Sequence, residues 1–191
     1  MTTHTILRSN HRSGVRDTLT VLAATLVLTL SAKISVPFYP VPMTLQTFAV
    51  IGLGFALGPW RAVMAVLAYL AEGAAGLPVF TGTLEKGIGL SYLLGPTGGY
   101  LVGCVFAALF AGWAGTRRWV ESPLAAALAG MLAGAVVYVP GLLWLGAVIG
   151  FDKPLLQYGL YPFIFGDVAK AVLAALLFAG GHAALTRKAG R

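Results

Sequence analysis

Charged residues divide this chain into long uninterrupted runs. No Asp, Glu, Lys or Arg occurs in residues 18–32, 34–60, 62–71, 73–84, 87–116, 122–151, 154–166 or 171–186. A helix needs about 20 mostly apolar residues to cross the hydrocarbon of a bilayer, so the runs over 87–116 and 122–151 each hold one helix and an apolar loop. Proline and glycine clusters punctuate the pattern at Pro37, Pro40 and Pro42, at Gly58-Pro59, at Gly76-Leu77-Pro78 and at Gly95-Pro96. Together these signals predict six helices near 18–36, 43–58, 61–77, 97–115, 123–148 and 162–185. Residues 1–16 read as a polar, partly disordered tail, and 17–188 as a single transmembrane domain.

Composition strengthens the membrane reading. Of 191 residues 58% are hydrophobic and only 10% are charged, whereas soluble domains carry about 25% charged residues. Mean hydropathy is +0.85. The chain is expected to be an all-α integral membrane protein in contact with the lipid bilayer. The net charge of +7 would suggest nucleic acid in a soluble protein. Here the positive-inside rule accounts for it, and no nucleic acid partner is expected.

With the N-terminus inside, nine basic residues fall on the cytoplasmic side (Arg8, Arg12, Arg16, Arg61, Arg117, Arg118, Arg187, Lys188 and Arg191) and three outside (Lys33, Lys86 and Lys153), with Lys170 left in the membrane. Both termini are therefore predicted cytoplasmic. Trp60, Trp113 and Trp119 fall at the inner interface, and Phe38, Tyr39, Trp144, Tyr158 and Tyr161 near the outer one, as aromatic belts require. A cleaved secretory signal is the competing reading of the start. Lys33, just past the first apolar run, and the five further spans favour an uncleaved first helix.

Ionisable residues inside a membrane are costly and by default mark function. Three occur here: Glu72, Asp167 and Lys170. Asp167 and Lys170 are three apart and share a helix face. They read either as a mutually neutralised structural pair or as a donor and acceptor facing a ligand pocket. Glu72, eleven residues beyond Arg61, is expected about 16 Å up its helix, close to the bilayer midplane, as a hydrogen-bonded interior carboxyl or a proton-coupling group. The outer loops gather Thr44, Gln46, Thr47, Thr81 and many glycines. Such backbone at membrane depth survives where it lines a cavity, so the outer half reads as a capped pocket.

Several chemistries lack their residues. The lone Cys104 excludes a disulfide framework and a multi-cysteine metal site. No GxxxxGK[ST] phosphate loop occurs, so the chain carries no ATP site of that type, and no HExxH or GxSxG triad arrangement suggests catalysis. Neither a metal nor a cofactor is expected.

In order along the chain stand Ser35-Val36-Pro37, Pro42-Met43-Thr44-Leu45-Gln46-Thr47-Phe48, Leu57-Gly58-Pro59, Gly76-Leu77-Pro78-Val79-Phe80, Leu94-Gly95-Pro96-Thr97-Gly98-Gly99-Tyr100, and Pro162-Phe163 with Gly166-Asp167 and Lys170. This series resembles the BioY biotin transporters, the substrate-capture (S) components of energy-coupling factor (ECF) transporters. The resemblance covers roughly residues 20–180. It implies a compact six-helix bundle in a bacterial cytoplasmic (inner) membrane, with a high-affinity biotin site opening outward. It also implies a transmembrane coupling protein and two ATPase subunits as partners, although some relatives act without them, and it leaves room for a homo-oligomer. The family's alanine-x-x-x-alanine coupling pattern in the first helix reads Ala24-x-x-x-Leu28 here, with Thr25 and Thr29 keeping a small-residue spacing.

For such a ligand, Asp167 would accept from the ureido N–H groups and Lys170 would donate to the ureido carbonyl. Gln46 could do both, Lys86 is the candidate for the carboxylate, and Thr81 is a weaker polar contact. These roles are open to permutation among the cations. Tyr92, Tyr100 and Phe163 would cover the apolar part. The rival readings are an integral membrane enzyme acting on a lipid or isoprenoid substrate, which would need a catalytic carboxylate or histidine near an interface, and a small channel, which would need a continuous polar stripe.

Overall fold

The computed structural model describes residues 3–81, 88–117 and 121–189, with side chains over 14–81, 88–117 and 121–178. Six long helices form the bundle: α1 (Thr3–Lys33), α2 (Gln46–Leu57), α3 (Pro59–Ala74), α5 (Gly98–Thr116), α6 (Pro123–Ile149) and α8 (Ile164–Ala189). Two short helices, α4 (Leu90–Leu93) and α7 (Leu155–Gly159), lie in the connections. Strands β1 (Ser35–Val36) and β2 (Met43–Thr44) pair antiparallel, Ser35 opposite Thr44 and Val36 opposite Met43.

Sequence punctuation explains most boundaries. Gly58, at φ 76°, separates α2 from α3, which opens on Pro59, where the missing N–H costs nothing. Ser122 caps α6, its hydroxyl accepting from the Ala125 N–H at 3.4 Å, and Pro123 follows at the first helical position. Other boundaries differ from the expected ones. α1 extends back to Thr3 rather than beginning near 18, since no proline precedes Pro37. It stops at Lys33 because the next residues enter the hairpin, which also delays α2 from 43 to Gln46.

α3 ends at Ala74 rather than 77, with Gly76 at φ 94° just beyond. Glu72 consequently sits in the last turn of α3, half-buried, rather than deep within a longer helix. Its carbonyl accepts from the Leu77 N–H at 3.1 Å.

Among the described residues four segments are long and apolar enough to cross a membrane: Gly14–Lys33, Gly98–Thr116, Pro123–Ile149 and Leu155–Phe178. With 12 and 16 residues, α2 and α3 are only about 18 and 24 Å long, against a hydrocarbon core of about 30 Å. The missing depth is taken up by the hairpin and, among the described residues, by the chain at 75–81 and 88–97. That irregular backbone is tolerated because it closes over a cavity rather than facing lipid.

α5 is the central helix, packing against α2, α3 and α6; α8 packs against α6 and α2, and α1 against α3. Small residues permit these approaches. A Cβ on Gly103 would stand 2.6 Å from the Val137 carbonyl oxygen of α6, and one on Gly112 would stand 2.4 Å from Pro59 of α3. The outward surface is apolar, as lipid requires: α1 exposes Leu19, Leu22, Leu26 and Leu30, and α6 exposes Leu128, Leu132 and Val139. Ala24, Thr25 and Leu28 of α1 are buried inside the bundle.

The two ends differ in charge and aromatic content. Arg61 pairs with Asp17 at 2.9 Å at the end where α2 passes to α3, and Arg117 lies over the Trp113 ring at the same end. Trp60 is exposed there too, while Trp119 lies outside the described residues. The hairpin, α4 and α7 occupy the opposite end, with Tyr39 and Tyr161 exposed.

Candidate functional site

At the hairpin end a cleft of about 590 Å³ of empty space, part of it open to solvent, lies between the hairpin, α4, α5, α6 and α8. Its walls are largely apolar, with Val41, Pro42 and Met43 from the hairpin, Leu101 and Cys104 from α5, Val137 from α6, and Phe163 just before α8. Polar groups converge on it from every side: Thr44, Gln46 and Thr47, then Thr81, Tyr92, Thr97 and Tyr100, then Tyr138, Asp167 and Lys170. An apolar cleft with a few converging polar groups is the usual form of a small-molecule site.

The charged part of the site comes from one turn of α8. Spacing of three residues brings the Lys170 ammonium to 2.8 Å from Asp167 Oδ1. Both side chains are shielded, Lys170 being only 8% exposed. Tyr138, entering from α6, donates its hydroxyl to Asp167 Oδ2. Each carboxylate oxygen thus holds one donor and keeps a second lone pair for a ligand. Lys170 keeps further N–H donors beyond the one given to Asp167.

Gln46 opens α2 at the cleft wall and is 6% exposed. Its backbone N–H donates to Thr44 Oγ1 at 3.2 Å, fixing the turn that carries the chain out of the hairpin. The Thr81 hydroxyl donates to the Ala32 carbonyl at 2.9 Å, so toward the cleft it offers an acceptor. Beside it, Lys33 donates its ammonium to the Phe80 carbonyl. These two bonds tie the end of α1 to the 79–81 segment and close that side of the cleft.

Aromatic residues complete the enclosure. Phe80 stacks on Tyr92 with centroids 5.1 Å apart, and Phe163 receives Phe38 of the hairpin edge-on at 6.0 Å. The Tyr100 hydroxyl donates to the Gly159 carbonyl at 2.9 Å, and its ring meets that of Tyr138 edge-to-face at 6.2 Å.

Of the residues singled out from the sequence, the structure brings Asp167, Lys170, Gln46 and Thr81 to this one cleft, along with Tyr92, Tyr100 and Phe163. Lys86 lies outside the described residues. Glu72 is not among the residues lining the cleft. Tyr138 was not anticipated. A signal for it existed, because between Pro123 and Ile149 it and Trp144 are the only side chains with a hydrogen-bonding tip. Among the described residues no group of three or more His, Cys, Asp or Glu could hold a metal ion.

Comparison with known proteins bears on the family and the fold. The pattern of the BioY family matches residues 3–187. The chain is 40% identical over 147 residues to a probable biotin transporter BioY of Pyrococcus horikoshii, covering 76% of this chain and 83% of that one. It is 36% identical over 157 residues to the biotin transporter BioY of Thermotoga maritima, covering 80% and 88%. The crystal structure of an S-component for biotin from an ECF-type ABC transporter superposes with a TM-score of 0.74 at 27% identity, over 90% of this chain and 93% of that one.

Proposed function

This chain belongs to the BioY family, and from that premise and the cleft we propose that it captures biotin at the outer face of the membrane for uptake. It acts as a transporter component and not as an enzyme. The observation that carries the reading is the shielded Asp167–Lys170 pair at the wall of a cleft whose other lining residues, among those described, are uncharged. Two apolar side chains would pack there with less desolvation cost, whereas a cyclic urea offers N–H donors to a carboxylate and a carbonyl acceptor to an ammonium, both as charge-assisted bonds.

Biotin's ureido ring presents two N–H donors and one carbonyl acceptor, and its bicycle and valerate chain are apolar. The N–H groups donate to the free lone pairs of Asp167, and the carbonyl accepts a hydrogen bond from the Lys170 ammonium. Gln46 approaches the same ring from the start of α2. The bicycle lies against Tyr92, Tyr100 and Phe163, and Thr81 accepts at the rim. Lys86, in the segment between residues 81 and 88, remains the candidate for the carboxylate.

The protein is placed in the cytoplasmic (inner) membrane, the cleft outward and the end bearing Arg61 and Arg117 inward, with both termini cytoplasmic and residues 17–188 as one domain. In ECF transporters the capture component works with a transmembrane coupling protein and two ATPase subunits, which would supply the phosphate loop this sequence lacks. Ala24 and Leu28 are buried, so coupling would use another face than the Ala24-x-x-x-Leu28 spacing.

Titration of the purified, detergent-solubilised protein with biotin tests the reading. Saturable binding well below micromolar ligand is expected, and no binding at micromolar biotin would refute the function. Uptake of labelled biotin by cells with and without the ATPase partners separates coupled from solitary transport.

A further inference from the structure

We infer that Tyr138 is a positioning residue for the substrate-binding carboxylate of Asp167, with Tyr100 as its buttress. The inference rests on the biotin reading of the cleft for its effect on affinity, but on the geometry alone for the hold on Asp167. A carboxylate on a helix has its χ1 confined to a few rotamers but a broad χ2, so a contact at one oxygen leaves its plane loosely set. Lys170, on the same helix, engages only Oδ1. The second oxygen is held from a different helix, by the Tyr138 hydroxyl of α6. One donor within α8 and one across the α6–α8 interface together fix the carboxylate plane, and with it the directions of the remaining lone pairs.

The arrangement around Tyr138 is built to hold its ring. Tyr100 stands edge-on to it and is itself anchored by its hydroxyl at the Gly159 carbonyl, 2.9 Å away. Two glycines leave room for Tyr100. A Cβ on Gly141 would come within 2.5 Å of its ring, and one on Gly159 within 2.2 Å of its hydroxyl. The placement of Asp167 is thereby linked through two tyrosines to the Gly159 carbonyl of α7.

The test is a double-mutant cycle of Tyr138→Phe and Asp167→Ala, because Phe keeps the ring and its contact with Tyr100 and deletes only the hydroxyl. In the Ala variant position 167 carries no polar side-chain atom, so the hydroxyl has nothing left to hold. Tyr138→Phe alone should weaken biotin binding about tenfold, the scale of one hydrogen bond to a charged group. In the Asp167→Ala background the same change should cost less than about twofold. Wild-type affinity in Tyr138→Phe, or an equal loss in both backgrounds, would overturn the inference, the latter by showing that the hydroxyl acts on the ligand directly or through packing.

The same four proteins melted without ligand decide the point independently of biotin. Non-additive losses in melting temperature support the hold on Asp167, and additive ones overturn it. A wild-type protein that ignores biotin would refute the proposed function while leaving this ligand-free cycle able to decide the inference.

Discussion

Replacing Lys170 by methionine keeps most of the side-chain volume and removes the charge, which separates the two roles of the ammonium. In the ligand-free protein, Asp167 loses the partner at 2.8 Å and retains Tyr138. Breaking a fully buried ion pair costs about 3–5 kcal/mol. Asp167 is 17% exposed and borders a cleft open to solvent, so water replaces part of the lost interaction and the cost falls to about 1–3 kcal/mol, that of leaving one polar group under-satisfied.

Removing the carboxylate as well should return part of that stability, because Asp167→Leu with Lys170→Met leaves no orphan charge, and the Tyr138 hydroxyl that loses its acceptor borders a cleft open to solvent. Binding behaves differently. If the proposed pose holds, the ureido carbonyl loses a charge-assisted donor worth about 1.5–3 kcal/mol, which weakens affinity by about 10- to 150-fold at 1.4 kcal/mol per decade. The double variant should bind no better than the single one. Thermal unfolding without ligand and calorimetric biotin titration give the two readings on the same samples. The reasoning fails if Lys170→Met binds biotin like the wild type, or if the double variant is less stable than the single.

Two further outcomes follow from features remote from the charged pair. Gly112→Ala places a methyl 2.4 Å from the Pro59 backbone at the far end of the bundle, and should destabilise the protein by about 1–3 kcal/mol while leaving biotin affinity unchanged; an unchanged melting temperature would contradict the close α3–α5 approach. Glu72→Gln, in the last turn of α3 and outside the cleft lining, should bind biotin within about twofold of wild type, since changes away from a site with no shared partners act independently; uptake in cells lacking ATPase partners then shows whether the carboxyl has a part in transport itself.

The sequence carried the outline of this site because the cost of charge in a membrane is so high. Asp167 and Lys170 stood out for being where they should not be, and a spacing of three was enough to put them on one face. Helix limits were legible where Gly58-Pro59 and Ser122-Pro123 write them explicitly. They were misjudged where no local signal exists. Met43 and Thr44 enter a two-residue strand only because Ser35 and Val36 are there to pair with them, and a pairing across seven residues is invisible to helical periodicity.

The same limit hid Tyr138. A tyrosine in an apolar span reads as packing until the fold brings it, from 29 residues away in the chain, to the oxygen of Asp167 that Lys170 leaves unheld. Thr81 was a different case. Its place at the cleft was foreseen, but its donor is committed to the Ala32 carbonyl of α1, a contact between segments 49 residues apart. Intramembrane charge therefore points to a site from sequence alone, whereas the uncharged groups that aim those charges are defined only by contacts between helices. Substitutions at Tyr138 and Tyr100 accordingly probe the fold's contribution to recognition, and those at Asp167 and Lys170 probe the chemistry itself.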